Sequence, residues 1–253
     1  MFEAALRAYG LDRCSLNRET LIIGVGPDEP LGGPVDTLPP APERVFFADG
    51  ADQVALIEVF LASPMASHVR HLAIGSSHLV AERRGSLDFS GAVAAQKRAT
   101  LPVLETLSLG DMERLFNGHR YFGGLGDIAP AFDAAPNLRT LDLHGGFSLS
   151  RLVRHARLET LSATVDDIGV TQGAPSPATV DTLLSGDFPA LREIDLLLDD
   201  GDPDSADYTL PPRFFSGAAM PGLTAFSLDR LASASRGGLD GLARKKGITV
   251  CIG

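Results

Sequence analysis

Leu138-Arg139-Thr140-Leu141-Asp142-Leu143 puts apolar residues at its first, fourth and sixth positions. The same spacing recurs in Val69-Arg70-His71-Leu72-Ala73-Ile74, Leu104-Glu105-Thr106-Leu107-Ser108-Leu109, Leu158-Glu159-Thr160-Leu161-Ser162-Ala163, Leu191-Arg192-Glu193-Ile194-Asp195-Leu196 and Leu223-Thr224-Ala225-Phe226-Ser227-Leu228. The last three residues of each segment alternate apolar, variable, apolar, which is the period of a strand. One such strand cannot bury its apolar face alone. Stacked copies can, and a stack of them makes a parallel sheet.

The pattern L-x-x-L-x-L is the strand half of a leucine-rich repeat. It predicts an α/β chain: an irregular leucine-rich-repeat solenoid with a parallel concave sheet and helices or turns on the convex side. The segments start 35, 34, 20, 33 and 32 residues apart, and four of these spacings exceed the usual repeat of about 20–29. The extra length reads as helix on the return path, over Asp52–Leu61, Ser90–Ala99, Asp127–Phe132, Ala178–Ser185, Pro212–Ala218 and Leu239–Lys246. The 20-residue spacing leaves room only for a turn. Pro102, Pro136, Pro189 and Pro221 stand just ahead of four strands, and His155-Ala156-Arg157 replaces proline ahead of Leu158. Three residues after each strand, where a regular repeat has Asn or Cys, stand Ser77, Met112, Gly146, Asp166, Asp199 and Leu231. Each turn is therefore expected to have its own shape. The predicted organisation is one domain over 1–253, with an N-terminal cap over 1–67, repeats over 68–235 and a C-terminal cap over 236–253. Leu21-Ile22-Ile23, Val45-Phe46-Phe47 and Ile248–Ile252 read as the strands of those caps. Gly26–Pro42, rich in Pro and Gly, reads as an exposed loop.

The 253 residues carry 32 acidic and 22 basic side chains, a formal charge of −10. That balance disfavours nucleic acid, whose affinity comes from phosphate neutralisation, and disfavours anionic membrane surfaces for the same reason. Cys14 and Cys251 make no disulfide framework, and each reads as a free, buried thiol. Met1–Arg7 lacks the basic and apolar regions of a secretion signal, and no apolar run spans a bilayer. The expected location is cytoplasmic.

Two longer stretches narrow the family. Gly126-Asp127-Ile128-Ala129-Pro130-Ala131-Phe132-Asp133-Ala134-Ala135-Pro136-Asn137-Leu138 runs into Leu141-Asp142-Leu143-His144-Gly145-Gly146, and Leu183-Leu184-Ser185-Gly186-Asp187-Phe188-Pro189-Ala190-Leu191 precedes a later strand. With these the chain resembles a family of bacterial cytoplasmic leucine-rich-repeat proteins, similar to the repeat regions that other bacterial proteins join to a WGR domain. The resemblance covers about Val69 to Leu228 and implies a repeat fold with a scaffold or binding role. It brings no catalytic residues. The chain has no Trp and no WGR segment.

The candidate site is the outward face of the strands. One row across it holds His71, Thr106, Thr140, Thr160, Glu193 and Ala225. A second holds Ala73, Ser108, Asp142, Ser162, Asp195 and Ser227. A third holds Gly75, Gly110, His144, Thr164, Leu197 and Asp229. Small polar side chains let a partner approach closely, although Ser and Thr also suit a merely solvated sheet. With Asp111 and Asp199 at the rim, the partner-binding residues are expected to be Thr106, Ser108, Asp111, Thr140, Asp142, His144, Thr160, Ser162, Thr164, Glu193, Asp195, Asp199, Ser227 and Asp229. The expected partner is a protein, with a basic one favoured by the acidity of the face, and an inhibitor or immunity-type role fits that charge.

Catalytic and metal chemistry find little support. Asp199–Asp207 has a D-x-D-x-D core, but Ser205 stands where an EF-hand loop needs Gly and Pro211 where it needs Glu. The histidines do not complete a ligand set. There is no G-x-S-x-G elbow and no Walker loop. Gly24-Val25-Gly26 and Gly123-Gly124-Leu125-Gly126 read as turns. No cofactor is expected and the chain is read as noncatalytic. The competing reading is an enzyme or enzyme subunit with a site in the insertion 118–127, built around His119, Tyr121 or His144.

Overall fold

The six repeated segments become six neighbouring parallel strands: β5 (His71–Ile74), β6 (Thr106–Leu109), β8 (Thr140–Ser148), β9 (Thr160–Thr164), β10 (Glu193–Leu197) and β11 (Ala225–Leu228). The computed structural model describes residues 1–17, 19–24, 33–34, 41–76, 87–110, 123–165, 174–199 and 206–252. Their register is the one the pattern requires. Leu72, Leu107, Leu141, Leu161, Ile194 and Phe226 align in one apolar row, and Ile74, Leu109, Leu143, Ala163, Leu196 and Leu228 in the next. All twelve are buried, because a period of two keeps both rows on one face.

Further strands lengthen the sheet at both ends. β4 (Arg44–Phe47) and β2 (Thr20–Ile23) continue it in parallel beyond β5, and β12 (Thr249–Ile252) continues it beyond β11. β1 (Cys14–Asn17) and β3 (Gly33–Pro34) complete the path with antiparallel pairings. The order is β12-β11-β10-β9-β8-β6-β5-β4-β2-β1-β3, so the sheet is open and mostly parallel. Three strand motifs expected as caps lie within this path. β1 was not legible as a strand in the sequence, because Cys14-Ser15-Leu16-Asn17 is too short to show a period.

Seven α-helices are present among the described residues: α1 (Phe2–Tyr9), α2 (Val54–Leu61), α3 (Ser90–Ala95), α4 (Ala129–Ala134), α5 (Pro177–Leu184), α6 (Pro212–Ser216) and α7 (Ser233–Lys246). Each gives apolar side chains to the cluster that holds the strand leucines, among them Leu6, Phe60, Val93, Phe132, Leu183, Phe214 and Leu239. The helices therefore pack on the leucine face. α7 starts six residues before the expected Leu239. Ser233–Gly238 is poor in helix formers, and burial of Ser235 and Leu239 against the core overrides that weak propensity. α1 has no counterpart among the expected helices. It is tied down through Gln53, whose amide donates to the Tyr9 hydroxyl at 2.8 Å and to the Ile23 carbonyl at 3.3 Å. Cys14 is buried as expected, but Cys251 is exposed, because β12 ends the sheet and its side chain lies away from the leucine face.

The prolines ahead of the strands occupy the second position of a tight turn. The amide of Leu104 donates to the Leu101 carbonyl at 3.2 Å, that of Leu138 to Ala135 at 3.0 Å, that of Leu191 to Phe188 at 3.1 Å and that of Leu223 to Met220 at 3.3 Å. Proline presets the backbone for that position. The fourth unit replaces the carbonyl with a side chain: the Leu158 amide donates to Nδ1 of His155 at 3.0 Å. The ring is 4% exposed, and its Nε2 lies 2.9 Å from the Ala135 carbonyl of the preceding unit. His155 is thus neutral, with its proton on Nε2. Burial lowers its pKa, and the Ala135 bond opposes the shift. Between β8 and β9 no helix forms, as the short spacing predicts.

β7 (Gly123–Asp127) corrects the reading of its glycines as a turn: it is a strand in parallel pairing with the second half of β8. Glycine is needed there for close approach. A Cβ at Gly145 (φ 128°) would stand 2.0 Å from the Gly123 carbonyl oxygen, and one at Gly110 (φ 101°) would stand 1.9 Å from that of His144.

Candidate functional site

The residues between the leucines point away from the helices, and their three rows are in register. Thr106, Thr140 and Thr160 align with Glu193 and Ala225. Ser108, Asp142, Ser162, Asp195 and Ser227 align one step along. His144, Thr164 and Leu197 align in the third row. The threonines, Ser108, His144, Ser162, Thr164, Asp195 and Ser227 are half-buried, and Glu193 and Leu197 are exposed.

The second row alternates Ser, Asp, Ser, Asp, Ser, but its two carboxylates differ. Asp142 is 4% exposed. Ser108 Oγ donates to its Oδ2 at 3.2 Å and Ser162 Oγ to its Oδ1 at 2.6 Å. A buried carboxylate is tolerable only with such donors, so Asp142 anchors the sheet from within the row. Asp195 is half-buried and takes no hydrogen bond among the described residues. With Glu193 two positions earlier on the same face of β10, it makes an acidic pair on the helix-free face.

Asp199 and Asp229 come together in another role. The Asp229 carboxylate accepts the amide of Leu198 at 2.7 Å and that of Asp199 at 2.9 Å, closing the chain where it leaves β10. Burial raises the pKa of Asp229, as does the nearby Asp199, while the two amides and Arg230 pull it down. Arg230 has a left-handed backbone (φ 54°), and its side chain lies 3.8 Å from Asp199 Oδ1. These residues hold a turn in place. Asp111 lies outside the described residues, as do Asp200–Ser205 of the acidic loop.

The insertion 118–127 is described only from Gly123. That part is strand β7, and it ends in a structural carboxylate. Asp127 accepts the amide of Ala129 at 3.1 Å at the start of α4, and Ser150 donates to it through both its amide (3.1 Å) and its hydroxyl (2.6 Å). Burial works against the Asp127 charge, but these bonds, with Arg151, bring its pKa below the ordinary value. His119, Tyr121 and Phe122 are not among the described residues.

Among the described residues, no group of three or more His, Cys, Asp or Glu is placed to hold a metal ion, and no helix is long and apolar enough to cross a membrane. One row was missed in the sequence. The second residue of the first five units alternates in sign (Arg70, Glu105, Arg139, Glu159, Arg192), and this could have been read from the motifs themselves. No family model, curated protein or solved structure matches the chain.

Proposed function

We propose that the chain is an irregular leucine-rich-repeat solenoid in one domain, and that the concave, helix-free face of its sheet binds a protein partner without catalysis. The single observation that carries this reading is the pair Glu193 and Asp195. Both stand on one face of β10, and both remain accessible beside rows of Thr and Ser hydroxyls. Carboxylates next to short hydroxyl side chains suit Lys and Arg side chains and exposed amides of a partner. The partner is therefore a basic protein, reached in the cytoplasm, and the role is that of a scaffold, inhibitor or immunity-type protein.

The test is affinity capture and titration with the double variant Glu193→Lys/Asp195→Lys beside the wild type. Asp142 and Asp229 are poor targets, because each holds the fold. A partner held by wild type and lost by the folded double variant supports the reading, and its binding weakens as salt rises. Equal binding by both proteins overturns it.

A further inference from the structure

The residues just ahead of the strands form a single file along the rim where the chain enters the sheet. The amide of Arg70 donates to the Glu43 carbonyl at 2.9 Å. Those of Glu105, Arg139, Glu159 and Arg192 each donate to the preceding member at 2.8 Å. Neighbours in the row are therefore one strand spacing apart, about 4.8 Å. The charges run Glu43, Arg70, Glu105, Arg139, Glu159, Arg192. The alternation ends at both sides, because Glu19 repeats the sign of Glu43 and Thr224 is uncharged.

Within the chain these side chains pair along the row. Arg70 Nε lies 3.7 Å from Glu43 Oε1 and its Nη2 lies 2.5 Å from Glu105 Oε1. Arg139 Nη1 lies 3.1 Å from Glu159 Oε1. The pairing leaves much of the charge in solvent: Glu105 is 32% exposed and Arg139 51%. Such pairs contribute about 0–1 kcal/mol each, so internal pairing consumes little of the charge.

An alternating row with an even number of members is complementary to itself when reversed. We propose that this rim is an isologous contact between two copies of the chain, related by a two-fold axis that passes between Glu105 and Arg139 along the normal to the sheet. In that arrangement Glu105 faces Arg139 of the second copy, Arg70 faces Glu159 and Glu43 faces Arg192, each contact occurring twice. A slip of one strand sets like charge against like at every position, so the row specifies its own register. Exposed apolar turn residues stand beside it, namely Val103, Pro136, Ala156 and Pro189. They give the contact a stiff, weakly hydrated margin. The helix-free face stays open in the dimer, so this inference does not rest on the partner proposed above.

The test is sedimentation velocity with the full chain at low and high ionic strength. The wild type is expected to dimerise at low ionic strength and to dissociate as salt rises. Glu105→Arg sets Arg against Arg across the axis, and Arg139→Glu sets Glu against Glu, so each alone associates about tenfold more weakly or worse. An equimolar mixture of the two restores both contacts and forms a heterodimer. Thermal melts establish that each variant is folded. If either is not, the neutral pair Glu105→Gln and Arg139→Gln replaces them, with weakened dimerisation expected for both. A wild type that is monomeric at low ionic strength overturns the inference. So does a dimer that both folded variants retain, or a mixture of folded reversal variants that stays monomeric.

Discussion

The hydroxyl of Ser162 donates to Oδ1 of Asp142 across one strand spacing, at 2.6 Å, in a row that otherwise faces away from the core. On the other side Ser108 reaches Oδ2 at the longer distance of 3.2 Å. A hydrogen bond to a charged group contributes about 1.5–3 kcal/mol, and the shorter, better-placed donor contributes more. Ser162→Ala is therefore expected to destabilise by about 2 kcal/mol, and Ser108→Ala by less. Urea titration of both variants and of the double variant measures the order and the coupling. Equal losses would contradict this order, and negligible losses would mean that other donors serve Asp142 as well as the serines do.

The glycines of α7 make a prediction with opposite signs on one helix. A Cβ at Gly237 or Gly241 meets nothing within 4 Å, whereas one at Gly238 would stand 2.7 Å from Phe215 Cε1. Alanine at 237 and at 241 is expected to raise stability by about 0.5–1 kcal/mol each through backbone entropy. Alanine at 238 is expected to lower stability, since Phe215 must move. Thermal melts of the three single variants check the signs. A gain at 238, or a loss at both 237 and 241, would contradict this account of the helix.

These elements also show how far the sequence could be read. The six strands and their register were legible because Leu at fixed spacing leaves one consistent way to bury each face. Five helices were legible within a few residues, since the length between strands calls for a return segment, and apolar faces, caps or basic ends mark where it lies. The start of α7 was hidden, because the burial that stabilises Ser233–Gly238 comes from residues far away in sequence. β7 was hidden for a related reason: its glycines look like a turn until Gly145 is seen against the Gly123 carbonyl. The site was half legible. Rows of outward residues follow from the period, but Asp142, Asp195 and Asp229 look alike in sequence. Only their donors separate the two that hold structure, Asp142 and Asp229, from Asp195, which takes no hydrogen bond among the described residues.

Gln96 is 1% exposed, and neither atom of its amide has a hydrogen-bond partner among the described residues. Leaving such a group unsatisfied costs about 1–3 kcal/mol. Gln96→Met keeps the length of the side chain and removes both polar atoms, so it is expected to stabilise the protein by about 1 kcal/mol or more. Chemical denaturation of the variant decides. A destabilised Gln96→Met would contradict this account of the amide as unsatisfied.

His155 makes stability depend on pH in a definite direction. Burial lowers its pKa in the folded chain, while the unfolded chain titrates near the ordinary value of about 6.5. Between the two values the unfolded state binds a proton that the folded state refuses, so stability falls as pH falls, by up to about 1.4 kcal/mol per unit. The contribution is complete above the unfolded pKa and is lost as pH drops through the folded one. Protonation would place a hydrogen on Nδ1, the atom that accepts the Leu158 amide at 3.0 Å. His71, whose pKa is lowered first by burial and then by Arg44, adds a similar slope. Comparing wild type with His155→Asn separates the two. The Asn carbonyl can still accept the Leu158 amide but does not titrate, so the variant starts less stable at neutral pH and loses less on acidification. Urea unfolding across the weakly acidic range is the measurement, and parallel curves for the two proteins would remove His155 from the pH response.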